Sequence, residues 1–487
     1  MNRRDFLKLS GMTLGGSFVF QTYAPAEPNQ TDPPNIIIFY LDDSGYGDFA
    51  HNGNPIIRTP NITKLMQDGV SFSQFYVTSA ACSASRYSLL TGRYPGRSGF
   101  PKWVLAPETE RYIHEKEITI AKGLKSKGYA TSIFGKWHLG NPNDQNQCTP
   151  KSLPLAHGFD TWIGTNVSHD FDDSKLLATD PSGQDPIPGY TVIADQLPSN
   201  AKVCESLTGR YTKAAIKFIK KNKDRPFFAY IPYNMPHLGL YASDAFKGRS
   251  RHGLLGDVME EIDDSVGQIR KALEDMGIGH KTMIIFSSDN GPWIRFRETK
   301  QHPKYGEARL LVGYAEPFRD GKGSTWEGGH RVPGIFCWPG TIPANRIEQT
   351  PASTLDILPT IFALAGVDLP TDRTMDGRNI CSVLMQDNAE NHIQPFCLLY
   401  NYIDNKPSAI RKGPWKLHIR IGSQTGNNYG FKASRKKPLL FQVEQDISER
   451  IDRAEEHPEI VKELLADLAV FEKQLSEEAG FWDTGIG

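Results

Sequence analysis

Residues Asn35 to Leu41 read Asn-Ile-Ile-Ile-Phe-Tyr-Leu, a β-rich run in which apolar and polar side chains do not alternate. A strand with one face in water alternates, so an unbroken run predicts a strand buried on both faces. Helices on both sides of a sheet supply that burial. The following segments fit this constraint. Helices are expected over Pro60 to Val70, Ile118 to Lys127, Tyr211 to Lys221 and Asp257 to Met276. Strands are expected over Ser71 to Tyr76, Tyr129 to Phe134, Pro226 to Tyr230 and Lys281 to Ser287. The alternation predicts an α/β fold, a large domain with a mixed, mainly parallel central sheet flanked by helices.

The pattern changes after a helical stretch from Leu355 to Ala365. A polar, turn-rich segment runs from Gly366 to about Gln394, followed by short strand candidates at Phe396 to Tyr400, Ala409 to Ile410, Trp415 to Ile419 and Leu439 to Val443. A charged helix is expected from Pro458 to about Leu475. This predicts a small C-terminal α+β domain with an antiparallel sheet. The expected boundaries are a leader at 1–26, a main domain at 33–385 and a C-terminal domain at 390–487, a division that suits 487 residues.

Ligands in open α/β sheets gather at the carboxyl ends of strands. The first apolar run ends in Asp42-Asp43-Ser44-Gly45-Tyr46-Gly47. Neighbours on a strand face opposite ways, so the two acids converge only if the chain turns, and the glycines are expected to supply the turn. Carboxylates forced together repel unless a cation or a proton neutralises them. A second strand ends in Ser288-Asp289-Asn290-Gly291. Asp42, Asp43, Asp289 and the Asn290 amide make an all-oxygen set suited to calcium or magnesium rather than zinc. Singly, each motif reads as a turn or a helix cap, and it is two such endings in one domain that favour a metal.

A third motif is Cys82-Ser83-Ala84-Ser85-Arg86. A helix starting near Cys82 puts Arg86 one turn later on the same face, and the helix end and Arg86 together favour an anion at Cys82. Alone, the motif is a buried cysteine at a helix start. In a fourth, Lys136-Trp137-His138, extended chain would send Lys136 and His138 to one side. His237 follows a strand, and Lys322 lies in a glycine-rich stretch where backbone approaches a ligand closely.

Together, Asp-Asp, Cys-Ser-Ala-Ser-Arg with Thr91-Gly92-Arg93, Gly-Lys-Trp-His-Leu-Gly, Pro-His, Ser-Asp-Asn-Gly and the stretch from Gly321 to Pro333 resemble the type I sulfatases of the alkaline phosphatase superfamily, in family order. The resemblance spans roughly Pro34 to Pro339. It implies an alkaline-phosphatase-like fold and hydrolysis of sulfate esters. It implies that Cys82 is oxidised to formylglycine, whose hydrate has one hydroxyl to attack sulfur and a second to expel sulfate. One calcium ion would be bound by Asp42, Asp43, position 82, Asp289 and Asn290, with Asp289 as base for the attack. Arg86 and Lys136 would stabilise charge, and His138 would take the proton during sulfate release. His237 and Lys322 would bind sulfate oxygens, one of them protonating the leaving alcohol. A well-placed donor of this kind contributes ~3 kcal/mol. Ala84 stands where the more common family motif has proline. That form resembles substrates of the radical, anaerobic-type maturase, which becomes the expected maturation partner.

The paired Arg3-Arg4, followed by Phe6-Leu7-Lys8, a short apolar stretch and Ala24-Pro25-Ala26, resembles a twin-arginine export signal. It predicts a bacterial protein that is periplasmic or secreted and keeps no membrane span. With 55 Lys and Arg against 56 Asp and Glu, the chain lacks the basic excess of a general nucleic-acid binder. Six cysteines are too few for a disulfide scaffold. Cys337 reads as a core thiol, while Cys148 and Cys204, in loop-like sequence, are the candidates for a pair. Exported bacterial members of the family act on sulfated polysaccharides, so algal polysaccharide or glycosaminoglycan fragments are the expected substrates. Arg295, Arg297 and His302, in the loop after Asn290, are candidates to grip them, the alternative being a solvated basic loop. The competing readings are a phosphonate or phosphate monoester hydrolase of the same superfamily, and an inactive polyanion-binding protein. The chain lacks the extra His and Asp ligands of the two-metal phosphatases, which leaves a formylglycine phosphonate hydrolase open within the first, and the intact acid and base set opposes the second.

Overall fold

The computed structural model describes residues 33–98, 104–105, 112–140, 149–182, 187–294, 312–386, 397–401, 407–424 and 433–477. The leader, residues 295–311 and Cys148 lie outside the described residues. In chain order the strands of the main body are β1 (Asn35–Leu41), β2 (Val70–Phe72), β3 (Phe75–Tyr76), β4 (Ala130–Phe134), β5 (Thr161–Thr165) and β6 (Leu176–Thr179). They continue as β7 (Tyr190–Ala194), β8 (Phe227–Pro232), β9 (Thr282–Ser288), β10 (Gly334–Cys337), β11 (Arg346–Glu348) and β12 (Ala352–Ser353).

Ten of the described strands form one sheet in the order β11-β2-β10-β9-β1-β8-β4-β5-β6-β7. Its middle, β9-β1-β8-β4-β5, is parallel, and β10, β6 and β7 run antiparallel to their inner neighbours. The sheet is therefore mixed and mainly parallel, as the apolar runs predict. All of β1 is buried. Ile36, Ile38 and Tyr40 join one core with Leu89, Leu90 and Ile361, while Ile37, Phe39 and Leu41 join another with Leu207, Ile262 and Ile269. Each such aliphatic side chain contributes ~2–3 kcal/mol by leaving water.

The expected helix through Val70 stops at Gln67, because Val70 opens β2 and pairs with Phe336 of β10. The helices Leu207–Asn222 and Gly253–Asp275 both begin four residues before their expected starts. The polar stretch after Gly366 contains the short helix Cys381–Met385. Cys204 is a buried free thiol in the helix Ala201–Glu205, not a loop cysteine, and its Sγ donates to Leu197 O at 3.3 Å. Cys337 is a core thiol as expected.

Beyond the main body, β13 (Cys397–Asn401), β14 (Pro407–Lys412), β15 (Trp415–Ile421) and β16 (Ala433–Gln442) form a separate antiparallel sheet. The helix Pro458–Glu477 seats Leu464, Leu468 and Leu475 in one cluster with Leu399, Ile410, Leu417 and Leu440. Tyr76, Tyr94 and Leu355 belong to the same cluster, so this sheet and the main body share a core, and Pro33–Gly487 is one compact unit. Among the described residues no helix is long and apolar enough to cross a membrane.

Candidate active site and metal centre

Four adjacent parallel strands, β9, β1, β8 and β4, each deliver polar residues at their carboxyl ends. The β1–β9 register pairs Leu41 with Ser288, which sets Asp42 and Asp43 beside Asp289 and Asn290. Asp43 N donates to Asp289 Oδ1 at 3.1 Å, and Asn290 Nδ2 donates to Asp43 Oδ1 at 2.7 Å. The turn that brings both acids inward is made by Asp43 itself, at φ 62, and not by the glycines. A non-glycine residue in that region stores about 1–3 kcal/mol and persists where surroundings impose it. Gly45 serves close packing instead, since a Cβ there would meet Tyr314 O at 2.1 Å.

From β8 the chain runs on to Met235, whose carbonyl accepts Asp42 N at 3.3 Å, and then to His237. From β4 it passes through Gly135, at φ 142, where a Cβ would lie 1.9 Å from Pro232 O. Only glycine lets Lys136 stand against the end of β8. The helix Cys82–Thr91 enters from the side, with Cys82 in its first turn and Arg86 one turn on.

The side chains interlock. Cys82 Sγ lies 3.3 Å from Asp42 Oδ1 and 3.9 Å from Asp43 Oδ1. Lys136 Nζ reaches Asp42 Oδ2 at 2.5 Å, and Lys322 Nζ reaches Asp43 Oδ2 at 2.8 Å. Arg86 places Nη2 at 2.7 Å from Asp289 Oδ2 and 3.6 Å from Asp42 Oδ2, and its Nη1 donates to Lys136 O at 3.2 Å. His237 Nε2 faces Asp43 Oδ2 at 3.6 Å. Three carboxylates, Asp42, Asp43 and Asp289, thus meet three cations, Arg86, Lys136 and Lys322, all buried. With those charges balanced, a bound divalent cation leaves the pocket positive and fitted to an anion.

Ionisation follows this packing. Burial opposes the charged form of Asp42, but Lys136, His237 and Arg86 hold its carboxyl well below the usual range. Burial and then the Asp42 charge push Asp289 up to about 7. Burial, Asp289 and Asp42 push the Cys82 thiol well above its ordinary value, so an unmodified Cys82 is a protonated thiol and a poor nucleophile. His138 is buried at φ 57, so the Lys136–His138 stretch is not extended as its sequence suggests. Its Nε2 lies 2.8 Å from Leu105 O, and a nitrogen facing a carbonyl carries the proton. Burial, then Lys136 and Arg86, keep the imidazole neutral, which leaves a bare lone pair on Nδ1, an atom with no hydrogen-bond partner among the described residues. Ser83 supports this arrangement by accepting Leu105 N at 2.9 Å.

Donor atoms of Asp42, Asp43, Cys82 and His237 lie within 4.8 Å of one another, a group able to hold a metal ion. His237 enters that group without having been expected among the ligands. Asp289 is engaged by Arg86 and by the Asp43 amide, while Asn290 Oδ1 is buried with no partner among the described residues. An orphaned amide oxygen beside crowded carboxylates fits a hard cation. Every expected residue in the described part of the chain gathers here. Arg295, Arg297 and His302 lie outside the described residues.

Sequence reading missed the segment after β5. His169 is buried, its ring 5.8 Å from that of His237, and Asp170 Oδ1 is 3.9 Å from His237 Nδ1. Its signal was a His-Asp pair soon after an apolar strand, and that strand itself went unread. Trp293 was also passed over, though its ring centre lies 5.9 Å from His237 and 5.0 Å from Lys322 Nζ.

The family model described as Sulfatase matches residues 34–367. N-acetylgalactosamine-6-sulfatase of Sus scrofa is 36% identical over 450 residues, covering 86% of this chain and 81% of that protein. The crystal structure of PsFucS1 sulfatase from Pseudoalteromonas sp. aligns with TM-score 0.79 and 25% identity, over 93% of this chain and 92% of that one. A Bacteroides thetaiotaomicron sulfatase, from a core genetic locus for metabolism of multiple glycosaminoglycans, aligns with TM-score 0.76 and 27% identity, over 91% of this chain and 100% of that one. With its strand ends, the Cys82 helix and the three buried cations arranged as described, the chain belongs to the sulfatase family of the alkaline phosphatase superfamily and is a sulfuric ester hydrolase.

Proposed function

We propose that this enzyme removes sulfate from sulfated carbohydrate, with formylglycine at position 82 as nucleophile and calcium as its metal. The observation that carries the reading is the placement of Cys82 Sγ 3.3 Å from Asp42 Oδ1 within the carboxylate group, at the start of a helix. The donor set is oxygen apart from position 82 and His237, and oxidation of Cys82 replaces its sulfur with oxygen as well. Asp42, Asp43 and Asn290 Oδ1, with an oxygen at 82 and Asp289 beside them, would hold calcium, which supplies positive charge to the sulfate and to the nucleophile. Hydrated formylglycine supplies two hydroxyls on one carbon, one to attack sulfur and one whose deprotonation releases sulfate.

The chain's own groups do the rest. Asp289 accepts the proton of the attacking hydroxyl. Lys136 and Arg86 hold negative charge at the helix start, each within reach of Asp42. His138 Nδ1, with its lone pair free, accepts the proton during sulfate release. Lys322 and His237, both beside Asp43, hold sulfate oxygens, and one of them protonates the departing alcohol. The names of similar proteins, an N-acetylgalactosamine-6-sulfatase and a sulfatase of a glycosaminoglycan locus, support a sugar substrate. The Arg3-Arg4 leader supports export to the periplasm or beyond, and Ala84 supports maturation by the anaerobic-type enzyme.

The test compares kcat/KM for paired aryl sulfate and aryl phosphate esters, then sulfate release from defined sulfated oligosaccharides. Preference for sulfate, with release from a glycan, supports the reading. A larger kcat/KM for phosphate overturns it.

A further inference from the structure

The C-terminal sheet reaches the active site through the three residues that follow β15. Gly422 O accepts Thr325 N at 3.2 Å. Ser423 Oγ donates to Asp320 Oδ2 at 2.5 Å, and Gln424 N donates to both Asp320 oxygens, at 3.1 and 3.0 Å. The Gln424 carboxamide, 3% exposed, donates through Nε2 to Lys322 O and lies 3.5 Å from Pro292 O. That same Pro292 carbonyl accepts Lys322 N at 2.9 Å. Three separate parts of the chain therefore meet at one point: the segment leaving β9, the Lys322 loop and the C-terminal sheet.

A lysine side chain has four rotatable bonds and about 2 kcal/mol of rotamer entropy, so its ammonium is placed no better than its backbone. Lys322 carries its Nζ over the Trp293 ring at 5.0 Å to Asp43 Oδ2 at 2.8 Å. Asp320, two residues earlier, sits at φ 64, a conformation that its bonds to Ser423 and Gln424 hold in place. We propose that Gln424 is a positioning residue for Lys322, through which the C-terminal sheet completes the sulfate pocket. This rests on the reading of Lys322 as a donor to sulfate oxygens.

The experiment measures sulfate-ester turnover, inhibition by inorganic sulfate and thermal unfolding for wild type, Lys322→Ala, Gln424→Met and the double variant. Methionine keeps the length of glutamine but donates nothing. Gln424→Met is expected to lower kcat/KM about 10- to 100-fold and to weaken sulfate inhibition similarly, as misplacement of a binding group does. In the Lys322→Ala background it is expected to cost nothing further, which a merely structural role would not produce. Gln424→Asn, which keeps the donor on a shorter arm, is expected to show a smaller loss with the same lack of additivity, and it stands in if the methionine variant does not fold. Wild-type turnover and sulfate inhibition in Gln424→Met, or losses that multiply with those of Lys322→Ala, overturn the proposal. If Lys322→Ala itself behaves as wild type, the role given to Lys322 fails first, and the role of Gln424 falls with it.

Discussion

At His138 a single backbone setting fixes which ring nitrogen is left bare, on which its proposed role as proton acceptor depends. Its left-handed φ and the carbonyl of Leu105 choose the tautomer, and burial keeps the ring neutral. His138→Ala is predicted to lower steady-state turnover by about 10²- to 10⁴-fold, the usual worth of a positioned proton acceptor. A burst of alcohol release with slow sulfate release would assign the loss to the second half of the cycle, and unchanged turnover would remove His138 from it. Arg86 acts on structure as well as charge, because its guanidinium fastens the helix start to Asp289 at the end of β9 with both groups fully buried. Arg86→Met leaves that carboxylate buried without its partner and is predicted to cost about 3–5 kcal/mol in denaturant unfolding. A loss below about 1 kcal/mol would mean that the remaining cations compensate.

Between elements, the glycine-rich stretch after Lys322 is tied to the C-terminal sheet by a buried polar network. Lys416 Nζ lies 2.9 Å from Glu327 Oε1 and 3.0 Å from Glu449 Oε1, and His418 Nε2 lies 2.8 Å from Glu449 Oε1. Tyr76 and Tyr400 both donate to Glu327, at 2.7 and 3.0 Å. Burial opposes ionisation of Glu327, yet Lys416, Arg331 and Arg411 hold it far below the usual range. Lys416→Met is predicted to destabilise by about 3–5 kcal/mol, since two buried carboxylates lose their shared cation. Unfolding of the variant at wild-type denaturant concentration would contradict this. At the same scale it becomes clear what a sequence discloses. Strands β1 and β9 and the helices around them were legible because burial on both faces and helical periodicity leave strong patterns. The short strands β5, β6, β7 and β11 were not, since runs of three to five residues show little periodicity, and the edge strand Tyr190–Ala194 is also half-exposed. The reach of Ser423 and Gln424 into the site was also invisible, because no local pattern records a contact made across about a hundred residues, from Lys322 to Gln424.

For the whole molecule, buried neutral histidines tie stability to pH. His157 and His330 are pushed down to about 3, by burial first and by Lys122 and Lys416 respectively after it. Unfolded histidine titrates near 6.5, so below that pH the unfolded chain takes protons that the folded chain refuses. Stability contributed by each neutral ring is therefore full above about pH 6.5 and falls as pH drops towards about 3, by about 2 kcal/mol at pH 5. Asp48, pushed up to about 7 by burial, works in the opposite sense. The decisive quantity is thus the stability gap between wild type and His157→Gln, which is predicted to narrow by about 2 kcal/mol between pH 7 and pH 5. A constant gap would refute it. If the proposed metal is calcium, a chelator is predicted to abolish turnover and lower the unfolding temperature, with recovery on adding calcium back. Retained activity in the metal-free protein would oppose the metal reading. The most direct test of the whole account is peptide mass spectrometry of the segment carrying Cys82, with turnover measured on the same preparations from the native host. The mass of an aldehyde at position 82 and a rate proportional to the fraction oxidised are expected. Full desulfation by protein that keeps a plain thiol there would contradict this.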